Sequence, residues 1–141
     1  MSQGSDTRDF LVVTCPDAAH QRWVDTILLK HLDTDRNQSD VVTLPGAVHC
    51  DFRSATIAAA LALFAVHVFE RGVMILVPAS CGMFEHQPQV TEDQQHQACA
   101  LRDALTVALA EAGYRDVPIN VLLAVTASTA RPMDIHDQGI G

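Results

Sequence analysis

The stretch "VMILV", residues 73–77, is an unbroken run of five large apolar residues. A strand that is buried on both faces has such a run, whereas a half-exposed strand alternates apolar with polar residues. Parallel sheets are usually covered on both faces by helices. The stretch therefore predicts a central strand of a parallel sheet in an α/β protein.

Three further stretches have the composition of short strands, and helical stretches separate them. They are "DFLVVT" (9–14), "DVVTLPG" (40–46) and "INVLLAVTA" (119–127). Alternation of strand and helix predicts an open, mostly parallel sheet of about four strands with helices on both faces. We expect a single three-layer α/β domain over residues 1–141, with its core at about 9–127. The C-terminal tail, 128–141, has no clear period and could pack on a partner chain.

Helices are predicted between these strands at 17–32, 54–72 and 91–112. The first helix has large apolar residues near one face, among them Ile27 and Leu28. The second is rich in Ala and Leu, is apolar on most sides and ends at Gly72, a common residue at helix C-termini. The third ends before Gly113 for the same reason.

The composition favours some partners and excludes others. The 141 residues are 48% hydrophobic and only 18% charged, which indicates a second buried surface, most simply that of a homodimer or a higher homo-oligomer. The net charge of −8 repels phosphate backbones, so we expect no nucleic-acid partner. The most apolar segment, 55–69, is too short to span a bilayer, and "MSQGSDTRDF" is not a signal peptide. We expect a soluble, cytoplasmic protein with no membrane partner.

The cysteines follow the strands. Cys15, Cys50, Cys81 and Cys99 have no CxxC spacing, which predicts reduced thiols. Cys99 lies in a helical stretch and is expected to be a small buried apolar residue. Cys15, the segment Pro45–Cys50 and Cys81 follow the first, second and third strands. Because parallel strands end at the same edge of a sheet, where ligands bind, these residues should meet on one rim.

Three interpretations of this rim stay open. Two thiolates supply half of a tetrahedral zinc site, which a histidine or a carboxylate must complete. Alternatively, Cys15 is a nucleophile, since the dipole of the following helix favours the thiolate. The third interpretation is that both cysteines are apolar filler. A cysteine-phosphatase loop is excluded because Arg22 comes one residue too late and the loop lacks glycine.

Two short motifs resemble those of a known family. "Cys15-Pro16-Asp17" resembles the Cys-x-Asp-x-Arg motif of β-class carbonic anhydrases, and "Cys81-Gly82-Met83" resembles their His-x-x-Cys-Gly segment. The order of elements over 9–127 is also similar. The resemblance implies zinc held by two Cys and one His, with water or the Asp in the fourth position. It also implies a zinc-dependent lyase of carbonate dehydratase type, which hydrates carbon dioxide to bicarbonate, with active sites at a dimer interface.

The chain departs from that family at two positions. Pro78 stands where the family has its ligand histidine, and Ala19 stands where it has the arginine that pairs with the Asp. Only Cys15, Asp17 and Cys81 carry over. We therefore expect a divergent member whose carbon dioxide hydration is weak or absent.

Other residues could complete a zinc site with Cys15 and Cys81. The candidates are His20 in the first helix, His86 after the third strand and, less favoured, His49 after the second. Asp17, the one catalytic candidate, could instead coordinate zinc directly and block water, or simply cap the helix.

The remaining histidines have plainer interpretations. His31 and His96 lie on helices among polar neighbours and should be solvated, and His67 should be a core residue whose hydrogen bonds are satisfied. Three functions follow for the chain as a whole. They are a zinc enzyme with a rearranged ligand set, a non-catalytic binding or assembly module without metal, and a thiol-dependent enzyme that uses Cys15 or Cys81.

Overall fold

A computed structural model of the chain describes residues 7–14, 18–43, 52–78, 92–126 and 129–132. Within these residues the elements are, in chain order, β1 (Thr7–Arg8), β2 (Leu11–Thr14), α1 (Ala18–His31), β3 (Asp40–Thr43), α2 (Arg53–Phe64), β4 (Val68–Phe69), β5 (Val73–Pro78), α3 (Glu92–Glu111), β6 (Ile119–Thr126) and β7 (Thr129–Pro132).

The main sheet has the strand order β3-β2-β5-β6-β7. The first four of these strands are parallel, and β7 runs antiparallel to β6. In the register, Thr14 of β2 lies opposite both Thr43 of β3 and Leu76 of β5. The predicted fold class is confirmed, with an antiparallel fifth strand in addition. That strand, Thr129–Pro132, falls within the predicted C-terminal tail, 128–141.

The two faces of the sheet carry separate apolar clusters. Val73, Ile75 and Val77 pack with buried residues of α2 and α3, whereas Met74 and Leu76 pack with buried residues of α1. Successive strand residues point to opposite faces, so every side chain of "VMILV" is buried in one cluster or the other. Burial of each such side chain stabilises the fold by about 1.5–3 kcal/mol. The predicted three layers are therefore confirmed.

Helix α2 is shorter than the sequence predicted. It ends at Phe64, and Val68–Phe69 forms β4, which pairs in parallel with β1. The main chain leaves the helix because Glu70 N donates to Arg8 O and Arg71 N donates to Asp9 O. The expectation of a helix over 54–72 is thus wrong beyond Phe64. The apolar run continues across the boundary, so composition alone did not mark it.

Gly72 has a role other than ending a helix. Its φ of +92° turns the chain from β4 into β5, and its α-carbon faces the backbone of Pro118. A β-carbon there would overlap the carbonyl oxygen of Pro118 and lie 2.8 Å from its Cγ. The same carbonyl accepts a hydrogen bond from Val73 N at 2.9 Å. Gly72 therefore fixes the start of β5 against the segment that enters β6.

A buried polar network fixes the connection from α1 to β3. The hydroxyl of Thr34 donates to Asp9 Oδ2 at 2.7 Å and lies 2.8 Å from the hydroxyl of Ser39. Ser39 Oγ also accepts a hydrogen bond from Phe10 N at 3.0 Å. Both hydroxyl residues are buried, so these bonds satisfy groups that water does not reach.

Several smaller expectations are also met. Gly113, with a φ of +98°, follows the last turn of α3, as predicted. Cys99 is 2% exposed, and His31 and His96 are exposed. None of the helices in the described part of the chain is long and apolar enough to cross a membrane.

Candidate functional site

The carboxyl edge of the sheet is where the sequence predicts a site. Three neighbouring parallel strands end there, β3 at Thr43, β2 at Thr14 and β5 at Pro78. The strand order reverses between β2 and β5, because the chain crosses from β2 outward to β3 and then returns to the other side of β2. At such a reversal the following helices leave on opposite faces of the sheet and open a crevice between them.

The helices follow this rule. Helix α1, which follows β2, packs on the face of Val12 and Met74, whereas α3, which follows β5, packs on the face of Val13 and Ile75. The switch point between β2 and β5 is therefore the place at which an open α/β sheet binds a ligand.

Nearly all of the predicted site residues lie outside the described residues. This applies to Cys15, Asp17, Cys81 and His86, to the less favoured His49, and to Cys50 on the same predicted rim. His20 belongs to α1, but the structure describes only its backbone. The predictions about the side chains of these residues therefore stay predictions.

The structure describes the backbone at the two positions where this chain differs from the motifs of the resembled family. Pro78 is the last residue of β5 and lies opposite Ala124 of β6, and Ala19 lies in the first turn of α1. Across residues 7–14, 18–43, 52–78, 92–126 and 129–132, no group of three or more His, Cys, Asp or Glu residues could hold a metal ion.

A second polar site lies at the opposite edge, where the strands begin. We call it the amino-edge cluster, and it consists of Arg8, Asp40 and His67. His67 Nδ1 lies 2.5 Å from Asp40 Oδ2, and Arg8 Nε lies 3.7 Å from Asp40 Oδ1. Arg8 also donates from Nη1 to the carbonyl of Asn37 at 2.7 Å. The side chains of Asp40 and His67 are each 18% exposed, so water reaches this pair only partly.

The pairing with Asp40 determines what His67 can offer. When Nδ1 donates the hydrogen bond to the carboxylate, Nε2 is an acceptor in the neutral ring and a donor only in the imidazolium form. The hydrogen bond to Asp40 agrees with the prediction that His67 is satisfied. The prediction that it is a core residue within a helix is wrong, because it is only partly buried and lies between α2 and β4.

Sequence reasoning missed the amino-edge cluster. Its members come from separate elements, and 27 positions separate Asp40 from His67. The one available signal was an ionisable residue at the start of a β-rich stretch and another within an apolar run.

Neither a protein-family model, nor a curated protein, nor a solved structure matched this chain when it was compared with known proteins.

Proposed function

We propose that this chain is a divergent protein of the β-carbonic-anhydrase type that holds zinc at the carboxyl edge of its sheet through Cys15 and Cys81. The proposal is supported by where these cysteines stand in the sequence relative to two described strands. Cys15 directly follows β2 and Cys81 comes three residues after β5, and β2 and β5 are the two strands that flank the switch point. This is where open α/β sheets bind their ligands.

The connections from the strands to the two cysteines are short enough for both thiols to bind one metal ion. Neighbouring strands lie about 4.8 Å apart. The Cα of Cys15 is about 3.8 Å from that of Thr14, and the Cα of Cys81 is at most about 11 Å from that of Pro78. Connections of this length allow both thiols to lie near the ends of adjacent strands. A zinc ion holds its thiolates at about 2.3 Å, so the two sulfurs would approach within about 4 Å of each other.

The donor set fits zinc. Two thiolates, the carboxylate of Asp17 and an imidazole from His20 or His86 are all accepted zinc ligands. When bound, zinc acts as a Lewis acid and generates hydroxide from water, which is the chemistry that carbon dioxide hydration requires. Because the family's histidine and arginine are replaced by Pro78 and Ala19, we propose that hydration is weak or absent.

The zinc content of the protein tests this proposal. We expect about one zinc per chain in protein purified without a histidine tag. Cys15→Ser and Cys81→Ser should each lower this ratio strongly, since loss of one ligand removes several of the roughly 10–16 kcal/mol of a complete structural site. Cys99→Ala is the matched control, because this buried thiol lies on α3 and should leave the ratio unchanged.

Two results would redirect the proposal. A zinc ratio near zero would end it and favour a metal-free binding or assembly module. Rapid alkylation of Cys15 alone in metal-free protein would favour the thiol-dependent enzyme. With zinc present, stopped-flow hydration of carbon dioxide distinguishes an open site from one closed by Asp17.

A homodimer in the cytoplasm is part of the same proposal. Helix α2 supports the dimer, since it has no charged residue after Arg53 and exposes Ala55, Ala58 and Ala62. An apolar helix face that is open to water is a common feature of subunit interfaces. The mass in solution, measured by light scattering, should therefore be at least twice that of the 15.3 kDa chain.

A further inference from the structure

A cavity beside the amino-edge cluster has the features of a ligand site. Its volume is about 230 Å³, and it lies between the end of α2 and the segment that leads from α3 into β6. Its lining consists of Phe64, His67, Val68, Phe69, Tyr114, Arg115 and Val117. Most of this lining is apolar, and three polar side chains stand in it, those of His67, Tyr114 and Arg115. A mostly apolar concavity with a few placed polar groups is typical of small-molecule sites.

The aromatic part of the lining is rigid. The ring of Phe64 lies 4.9 Å from that of Phe69 and 5.2 Å from that of Tyr114. Phe64 and Phe69 are each 8% exposed, and Tyr114 donates from its hydroxyl to the carbonyl of Phe64 at 3.1 Å. The hydroxyl of Tyr114 is therefore occupied as a donor. These contacts form a preorganised apolar wall, which lowers the entropic cost of binding a flat ligand.

Two polar groups in the lining are available to a ligand. His67 belongs to the lining, and its bond to Asp40 engages Nδ1 and not Nε2. Within the part of the chain that the structure describes, the guanidinium of Arg115 has no ion-pair partner, and Arg115 is exposed. An arginine beside an apolar cavity is suited to an anionic group, which accepts charge-assisted hydrogen bonds from it, and His67 adds a second donor through Nε2 when its ring is doubly protonated.

The backbone that carries Arg115 is held in an unusual conformation. Asp116 has a φ of +60°, in the left-handed region that few residues other than glycine adopt. Tyr114 N donates to Leu109 O at 2.8 Å and Val73 N donates to Pro118 O at 2.9 Å, so both ends of the turn are fixed. Aspartate adopts this region more readily than most residues, so the turn fixes the backbone position of Arg115 beside the cavity.

We propose that this cavity binds a small monocarboxylate with an apolar or aromatic body. The body would pack against Phe64, Phe69 and Tyr114, and the carboxylate would accept hydrogen bonds from Arg115 and His67. The volume is below the 300–1,000 Å³ of sites for drug-sized ligands and holds about eight waters, which limits the ligand to about the size of benzoate. The site is separate from the carboxyl edge of the sheet, so its existence does not depend on the zinc proposal.

The negative net charge of the chain opposes the binding of anions in general. At a net charge of −8 the long-range field disfavours anions, so a carboxylate binds here only if local donors outweigh that field. A neutral amide of the same shape meets no such field, and its carbonyl oxygen accepts only weaker hydrogen bonds from the same donors. The comparison of an acid with its amide therefore isolates the contribution of the ligand's negative charge.

Titration of the full chain by NMR with benzoate, cyclohexanecarboxylate and benzamide tests the proposal. We expect both carboxylates to bind saturably, with amide shifts at Phe69, Tyr114 and Val117, and benzamide to bind at least about tenfold more weakly. Arg115→Gln, at an exposed position that should not affect folding, should weaken benzoate about tenfold or more. Arg36→Gln is the matched control, since Arg36 pairs with Asp25 elsewhere on the surface and should leave the affinity unchanged.

Three results would each overturn the proposal. They are the absence of saturable carboxylate binding, amide shifts that map outside the cavity, and equal affinity for benzoate in Arg115→Gln and the unaltered chain. As a check on the second polar group, His67→Gln should also weaken benzoate but leave benzamide unchanged. If it weakened both equally, the effect would come from altered packing and the role of His67 would be refuted.

Discussion

Replacement of Gly72 by alanine tests how β5 is joined to β6. Gly72 and Gly113 both have a φ near +95°, at which an L-residue costs about 1–2 kcal/mol. They differ in their surroundings, since a β-carbon at Gly113 would meet no atom within 4 Å, whereas one at Gly72 would overlap Pro118. Gly113→Ala therefore measures the backbone cost alone and is the matched control.

The additional cost at Gly72 comes from two sources. Relief of the overlap must move Pro118, which breaks or lengthens the hydrogen bond from Val73 N, worth about 0.5–1.5 kcal/mol. Forcing an extra methyl group into a packed site costs about 1–3 kcal/mol more. We expect Gly72→Ala to lower the free energy of unfolding by about 3–5 kcal/mol, compared with about 1–2 kcal/mol for Gly113→Ala.

Urea unfolding followed by circular dichroism measures both variants. With a slope of about 2 kcal/mol/M, Gly72→Ala should lower the midpoint by about 2 M and Gly113→Ala by less than about 1 M, with the slope unchanged. The lower entropy that alanine gives the unfolded chain acts on both variants alike and cancels in the comparison. Equal midpoints for the two variants would refute the close contact of Gly72 with Pro118.

Three further substitutions test the packing by the same unfolding measurement. Ser39→Ala should lower the free energy of unfolding by about 1–3 kcal/mol because Phe10 N loses its buried acceptor. Gln38→Ala, at an exposed neighbour, should change it by no more than about 0.5 kcal/mol. Similar values for both variants would argue against the network. Phe64→Ala should cost about 3–5 kcal/mol since it removes two ring contacts, and a cost below about 1 kcal/mol would contradict this packing. Arg36→Gln should cost less than about 1 kcal/mol, because its ion pair with Asp25 is exposed; a larger loss would show that the pair matters to the fold.

The sequence predicted the layers of the fold because burial leaves a periodic signal. An apolar run such as 73–77 needs cover on both faces, and the apolar face of α1 with Ile27 and Leu28 provides it on one side. These signals are local, so they can be read without knowledge of the partner elements. The end of α2 could not be predicted in this way, since β4 exists only because β1 pairs with it, and the apolar residues continue across Phe64.

The two candidate sites differ in the same way, since one follows from neighbouring residues in the sequence and the other depends on residues that are far apart in it. The position of Cys15 and Cys81 after two strands can be read from the sequence, and strand order then makes β2 and β5 neighbours. The pair of Asp40 and His67 could not be predicted, because it depends on where α2 ends and on the register of β3. The cavity at Arg115 depends on the turn after α3, whose unusual φ at Asp116 has no signature in composition.

X-ray absorption at the zinc edge of the tag-free protein tests most directly whether the thiols after β2 and β5 share one ion. The account predicts two sulfur ligands at about 2.3 Å and the remaining ligands nitrogen or oxygen at about 2.0–2.2 Å, with one sulfur lost in either Cys15→Ser or Cys81→Ser. A first shell of nitrogen and oxygen alone, or protein that holds no zinc, would contradict it.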